Sequence, residues 1–129
     1  MSLDLEQATD RLIVALDNPN LKAAEGLLDR LRGKVGFFKV GSALFTRCGP
    51  AAIEAVHRRG AKVFLDLKFH DIPQPVGLAA RQAGEMGVFM FNVHASGGAA
   101  LLRTTRESVA DLNPAPAPGT ASPPCGTMG

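Results

Sequence analysis

The sequence contains neither tryptophan nor tyrosine, and phenylalanine supplies all of its 5% aromatic content. The cluster Phe89-Met90-Phe91 reads as strand core, so no aromatic platform for stacking nucleic-acid bases can be built. Cysteine is scarce too: Cys48 and Cys125 lie far apart, with no Cys or His at metal-ligand spacing, which removes a disulfide framework and a zinc site. Charge of either sign is nearly balanced, 14 Lys and Arg against 12 Asp and Glu for a net +2, too slight for a nucleic-acid or anionic-membrane surface. No stretch approaches the roughly 18 apolar residues of a membrane span. The first ten residues carry Asp4, Glu6 and Asp10 and lack the basic head and apolar core of a secretory signal. These absences point to a cytoplasmic chain whose partners are small molecules or other protein subunits.

What is present is a composition of 46% hydrophobic and 20% charged residues over 129 positions, enough for one compact domain. Four apolar or β-branched runs recur: Leu12 to Leu16, Phe37 to Val40, Val63 to Leu67 and Val88 to Val93, with starts 25, 26 and 25 residues apart. Between them the apolar residues follow a helical period. Leu21, Ala24, Leu27, Leu28 and Leu31 share a face closed by Gly33. A second helix opens at Pro50, buries Ile53 and Val56 and ends at Gly60. A third follows Pro73 and Pro75 and stops near Gly87, and a fourth runs from Gly98 to Val109.

Near-continuous apolar strands, each followed by a helix, predict an α/β fold with a parallel sheet, either doubly wound or a (β/α) barrel. The polar residues favour the barrel. Asp17, Lys39, Asp66 with Lys68, and His94 each fall at or just past the C-terminal end of a predicted strand, the face where barrels assemble their sites. A doubly wound sheet would gather them around one switch point. The expected architecture is therefore the N-terminal half of a (β/α)8 barrel over residues 1–109. Residues 110–129 hold five of the nine prolines, one charged residue and no apolar periodicity, and read as a Pro/Ala/Gly-rich linker or disordered tail, or as out-of-frame sequence.

The informative segment is Phe64-Leu65-Asp66-Leu67-Lys68-Phe69-His70-Asp71-Ile72-Pro73. Strand alternation sends Asp66 and Lys68 to the same side, with Asp71 on the following loop and with Lys39 and Asp17 at the ends of neighbouring strands. The expected result is an alternating array of Asp17, Lys39, Asp66, Lys68 and Asp71. It would give an ammonium a fixed direction among carboxylates, which suits a proton donor to a carbanion. The same spacing also suits ion pairs that decorate a strand end. His94 fits a structural histidine as well as a catalyst, and Gly97-Gly98 fits a turn as well as an anion site.

Four strings in order, Ile13-Val14-Ala15-Leu16-Asp17, Phe38-Lys39-Val40-Gly41, Asp66-Leu67-Lys68-Phe69-His70-Asp71-Ile72-Pro73 and Asn92-Val93-His94-Ala95-Ser96-Gly97-Gly98, resemble the orotidine 5′-phosphate decarboxylase family over about residues 11–109. The resemblance implies decarboxylation of orotidine 5′-phosphate to UMP, without cofactor or metal, in a homodimeric barrel. By position, Lys68 would protonate C6 after carbon dioxide departs, Asp66 would lie beside the scissile carboxylate, and Lys39 would link Asp66 to the ribose. Asp17 would contact the ribose or the charge network. Asp71 would reach a neighbouring subunit's site, Ile72 would line the pocket, and His94 would sit near a ribose hydroxyl.

Gln74-Pro75 departs from the family pattern, because a threonine that resembles a cross-dimer ribose contact is replaced by Pro75. The sister 3-keto-L-gulonate 6-phosphate decarboxylases and hexulose phosphate synthases share the Asp-x-Lys-x-x-Asp core and use magnesium. They carry a metal-binding glutamate where this chain has Lys39, and an ammonium cannot ligate magnesium. The family's pyrimidine-reading loop and phosphate-gripping arginine have no counterpart in these 129 residues. The expectation is therefore a chain impaired or inactive alone. The alternative is a non-catalytic half-barrel that self-associates or pairs with another chain.

Overall fold

The computed structural model describes residues 4–112. After a short helix α1 (Leu5–Thr9), four strands alternate with helices: β1 (Ile13–Leu16), α2 (Leu21–Leu31), β2 (Phe37–Gly41), α3 (Ser42–Cys48), α4 (Pro50–His57), β3 (Lys62–Phe69), α5 (Pro73–Glu85), β4 (Met90–Val93) and α6 (Ala99–Val109). A single 3-10 turn, Ala95–Gly97, precedes α6. All strand pairs are parallel, and the spatial order β1-β2-β3-β4 repeats the chain order. This is the α/β half-barrel expected from the repeating runs.

Local chemistry explains the boundaries. Asn20 caps α2 by accepting a hydrogen bond from the Ala23 N–H at 3.1 Å, satisfying one of the helix's orphan donors. Both Pro73 and Pro75 sit in the first turn of α5, where no intrahelical N–H donor is required of them. Gly33, Gly60 and Gly87, at φ 78°, 77° and 80°, each turn the chain from a helix into the next strand, a conformation only glycine adopts without strain.

Alternation divides the sheet into two faces. Leu16, Phe38, Val40, Val63 and Leu65 are buried and meet Ala24, Leu28, Leu44, Ile53, Val56 and Ala83 of the helices in one core. The register Ala15, Lys39, Phe64, Met90 marks the opposite face. That face bears the polar strand ends, and helices do not cover it. At its lower end Phe37 and Phe89 meet edge to face at 5.0 Å, with the Lys62 ammonium 5.4 and 4.9 Å from their ring centres, a cation–π arrangement.

Three features differ from the sequence reading. Helix α1 and helix α3 carry no long apolar period and went unread, and β3 extends to Phe69 instead of ending at Leu67. That extension contains an irregularity: the β3–β4 register shifts between Leu65 and Phe69, and Lys68 takes φ 51°. Of the 110–129 segment, Ala110 caps α6, Asp111 pairs with Arg81 and the Leu112 N–H donates to Val109 O at 3.0 Å; residues 113–129 lie outside the described residues.

Candidate active site

The site is built outward from Asp66, which ends the regular part of β3 and is one of two buried polar residues of the described chain, 7% exposed. A buried carboxylate is costly unless its oxygens are satisfied. Here Asp66 Oδ1 accepts from the Lys68 ammonium at 2.7 Å and from Asn92 Nδ2 at 2.7 Å, while Oδ2 lies 3.4 Å from Lys39 Nζ. Lys68, Asn92 and Lys39 together outweigh the cost of burial and hold the Asp66 carboxyl at a pKa of about 2, below its ordinary 3.8. Asp66 is therefore a fixed anion across the neutral range.

Lys39 projects from β2 between two carboxylates, with Asp17 Oδ1 at 4.0 Å on its far side. An ammonium thus occupies the gap that a divalent cation would need. Asp17 follows β1 and is mostly exposed. Lys68 stands at the mouth with its side chain 59% exposed, held by Asp66 and by a bond from its own N–H to Asn92 Oδ1 at 2.9 Å.

Asp17, Lys39, Asp66 and Lys68 are therefore brought together as a connected, charge-balanced network. Asp71 is not part of it within this chain. Its Oδ1 accepts from the Ile72 N–H at 2.7 Å, and among the described residues it enters no ion pair. Ile72, next on the loop after β3, is 68% exposed. His94 follows β4 directly, its N–H donating to Phe69 O at 2.9 Å, and its ring lies 4.7 Å from that of His70. The residue that sequence reasoning missed is Asn92. Its one signal was a lone carboxamide inside the apolar string Met90-Phe91-Asn92-Val93.

A fixed anion with an ammonium aimed across the open end of a parallel sheet can orient a proton toward a carbanion and repel a second carboxylate. Residues 10–119 match the model of the Orotidine 5′-phosphate decarboxylase / HUMPS family. The chain belongs to this family. Among curated members, the orotidine 5′-phosphate decarboxylase of Moorella thermoacetica is 54% identical over 114 residues, covering 84% of this chain and 45% of that protein. That of Syntrophotalea carbinolica is 53% identical over 105 residues, covering 81% and 43%. Among family structures, the orotidine 5′-phosphate decarboxylase of Lactobacillus acidophilus superposes with a TM-score of 0.71 at 35% identity, over 87% of this chain and 49% of that one. The chain thus spans under half the length of the curated family members it matches.

Proposed function

We propose that the strand ends of this chain carry the chemistry of orotidine 5′-phosphate decarboxylation, yielding UMP and carbon dioxide. The observation that carries this reading is the buried Asp66 carboxylate held by Lys39, Lys68 and Asn92 at the C-terminal end of a parallel sheet. The bond between C6 and the carboxylate breaks, the electron pair stays on C6, and the Lys68 ammonium gives its proton to that carbon. Solvent then reprotonates the Lys68 amine. The main contribution is electrostatic: a preorganised cation faces charge as it develops on C6. Asp66, unable to protonate at neutral pH, adds repulsion toward the substrate carboxylate that vanishes as carbon dioxide leaves. No step calls on a cofactor or metal.

Lys39 holds Asp66 in place and reaches toward the ribose, with Asp17 beyond it and His94 beside the ribose hydroxyls. Asp71 and Ile72, exposed on the loop after β3, complete the site of a second subunit in a homodimer. The substrate is a soluble nucleotide, which suits a cytoplasmic enzyme. The 129-residue chain alone turns over slowly or not at all, because Lys68 and Asp17 stand in open water, where solvent screens the network, and remote phosphate binding has no residues to supply it.

The test is reconstitution. Purified chain is assayed for carbon dioxide release from orotidine 5′-phosphate alone and after mixing with the portion of the Moorella thermoacetica relative that this chain does not cover. The chain alone should stay near background, and the mixture should show turnover that Lys68→Ala reduces at least about 1,000-fold. A soluble complex without turnover would sink the decarboxylase reading. Substantial turnover by the chain alone, abolished by Lys68→Ala, would instead overturn its impairment.

A further inference from the structure

We infer that Asn92 is a positioning residue for the proton donor: its carboxamide ties the Asp66 carboxylate to the backbone of Lys68 and thereby fixes where the Lys68 ammonium points. The inference rests on the reading of Lys68 as donor.

Lys68 is the one non-glycine residue of the described chain with positive φ, 51°, a left-handed conformation that strains any residue with a Cβ. It falls where the β3–β4 register slips, between the pairs Leu65–Phe91 and Phe69–Val93. A slipped register leaves a backbone N–H without its ladder partner. Asn92 Oδ1 takes that place by accepting from the Lys68 N–H at 2.9 Å.

The other end of the same carboxamide donates from Nδ2 to Asp66 Oδ1 at 2.7 Å, the oxygen that also receives the Lys68 ammonium at 2.7 Å. The amide's orientation is dictated by its partners: an N–H requires the oxygen and a carboxylate requires the NH2. A closed circuit results, from the Lys68 backbone through Asn92 to Asp66 and back through the Lys68 side chain. Two flanking strands are thereby clamped at the point where the chain leaves regular β geometry. The charged groups around Asp66 are Lys68 on its own strand and Lys39 on β2, with Asp17 beyond Lys39. Asn92 is the contribution of β4.

Two substitutions separate the ends of the carboxamide. Asn92→Asp keeps an acceptor for the Lys68 N–H but sets a carboxylate against Asp66, whereas Asn92→Ala removes both bonds. In the full chain, carbon-detected NMR should follow the Asp66 carboxyl to a midpoint near 2 in the unsubstituted protein and upward toward 3.8 in both variants. Hydrogen exchange at the Lys68 amide should quicken in Asn92→Ala but stay slow in Asn92→Asp. In the reconstituted barrel both variants should lower kcat, by up to about 100-fold for a donor misplaced by an ångström, with KM little changed. An Asp66 midpoint and Lys68 amide that ignore both substitutions, while Lys39→Ala moves the midpoint, would overturn the inference. So would a change in KM alone, or loss of the fold in both variants, which would make Asn92 merely structural. If the unsubstituted reconstituted barrel is inactive, the decarboxylase reading falls, and the NMR arm still decides whether Asn92 positions Lys68.

Discussion

Asp66 shows how one side chain can be both a cost to folding and the centre of a site. Its carboxyl is depressed to about 2 in the folded chain against 3.8 in a free chain. The unfolded state therefore takes up the proton first on acidification. The stabilisation from this group is fully present above about pH 4 and is lost as pH falls through about 2. Urea unfolding between pH 2 and 6 should show that loss in the natural chain, while Asp66→Asn, which has no proton to bind there, should show a flatter acid limb. Equal limbs would mean that Asp66 is not held as described. The network members Asp17, Lys39, Asp66 and Lys68 were legible in the sequence because each ends a strand run, and strand ends converge on one face of a parallel sheet. The route by which Asp66 and Lys68 meet was not legible. Simple alternation put them on the same side, yet Lys68 arrives through a left-handed backbone and a register slip, which depend on the partner strand β4 and on Asn92. A long-range hydrogen bond leaves no period in the string of letters.

At the scale of elements, the helices are fixed by how closely they approach. Gly77 of α5 sits against α6, where an added Cβ would lie 2.7 Å from Ser108 Oγ and 3.1 Å from Thr104 Cγ2. Gly26 of α2 meets nothing within 4 Å. The two glycines should therefore respond to alanine with opposite sign. Gly26→Ala should gain up to about 1 kcal/mol from helix propensity. In Gly77→Ala the same gain is offset by overpacking of about 1–3 kcal/mol, leaving a net loss that thermal or urea unfolding of the two variants would resolve. Periodicity separates them in part, since Gly26 lies off the apolar face of α2 while Gly77 lies among the buried Val76, Ala80 and Ala83 of α5, but it does not show how closely α6 approaches. The strands and helices α2, α4, α5 and α6 were readable from period and from helix-end residues such as Gly33 and Pro50, whereas α1 and α3 were not. Helix α1 has no buried residue and α3 has one, Leu44, so neither writes an amphipathic stripe.

For the whole molecule, the consequential fact is that a parallel sheet has one face against helices and the other bare. Ile13 at 47% and Phe89 at 50% exposure sit on or beside the two outermost strands, β1 and β4, whose outer edges pair with no strand among the described residues. Such edges and apolar surface favour association. Ile13→Thr should change the stability of the isolated chain by less than about 0.5 kcal/mol, yet weaken its assembly with the complementary portion of a longer relative. Titration of one half with the other, followed by sedimentation, would measure this; an unchanged affinity would show that β1 is not part of the seam.

The spatial order of the strands has a kinetic meaning as well. Because β1, β2, β3 and β4 lie in the sheet in the order in which they are linked, each new βα unit finds its docking partner already made. A ribosome adds about 5–20 residues per second, so a unit of roughly 25 residues emerges every one to five seconds, while helix and hairpin formation take microseconds. Each strand therefore has ample time to settle on its predecessor during synthesis. The growing edge always waits for the segment still inside the exit tunnel.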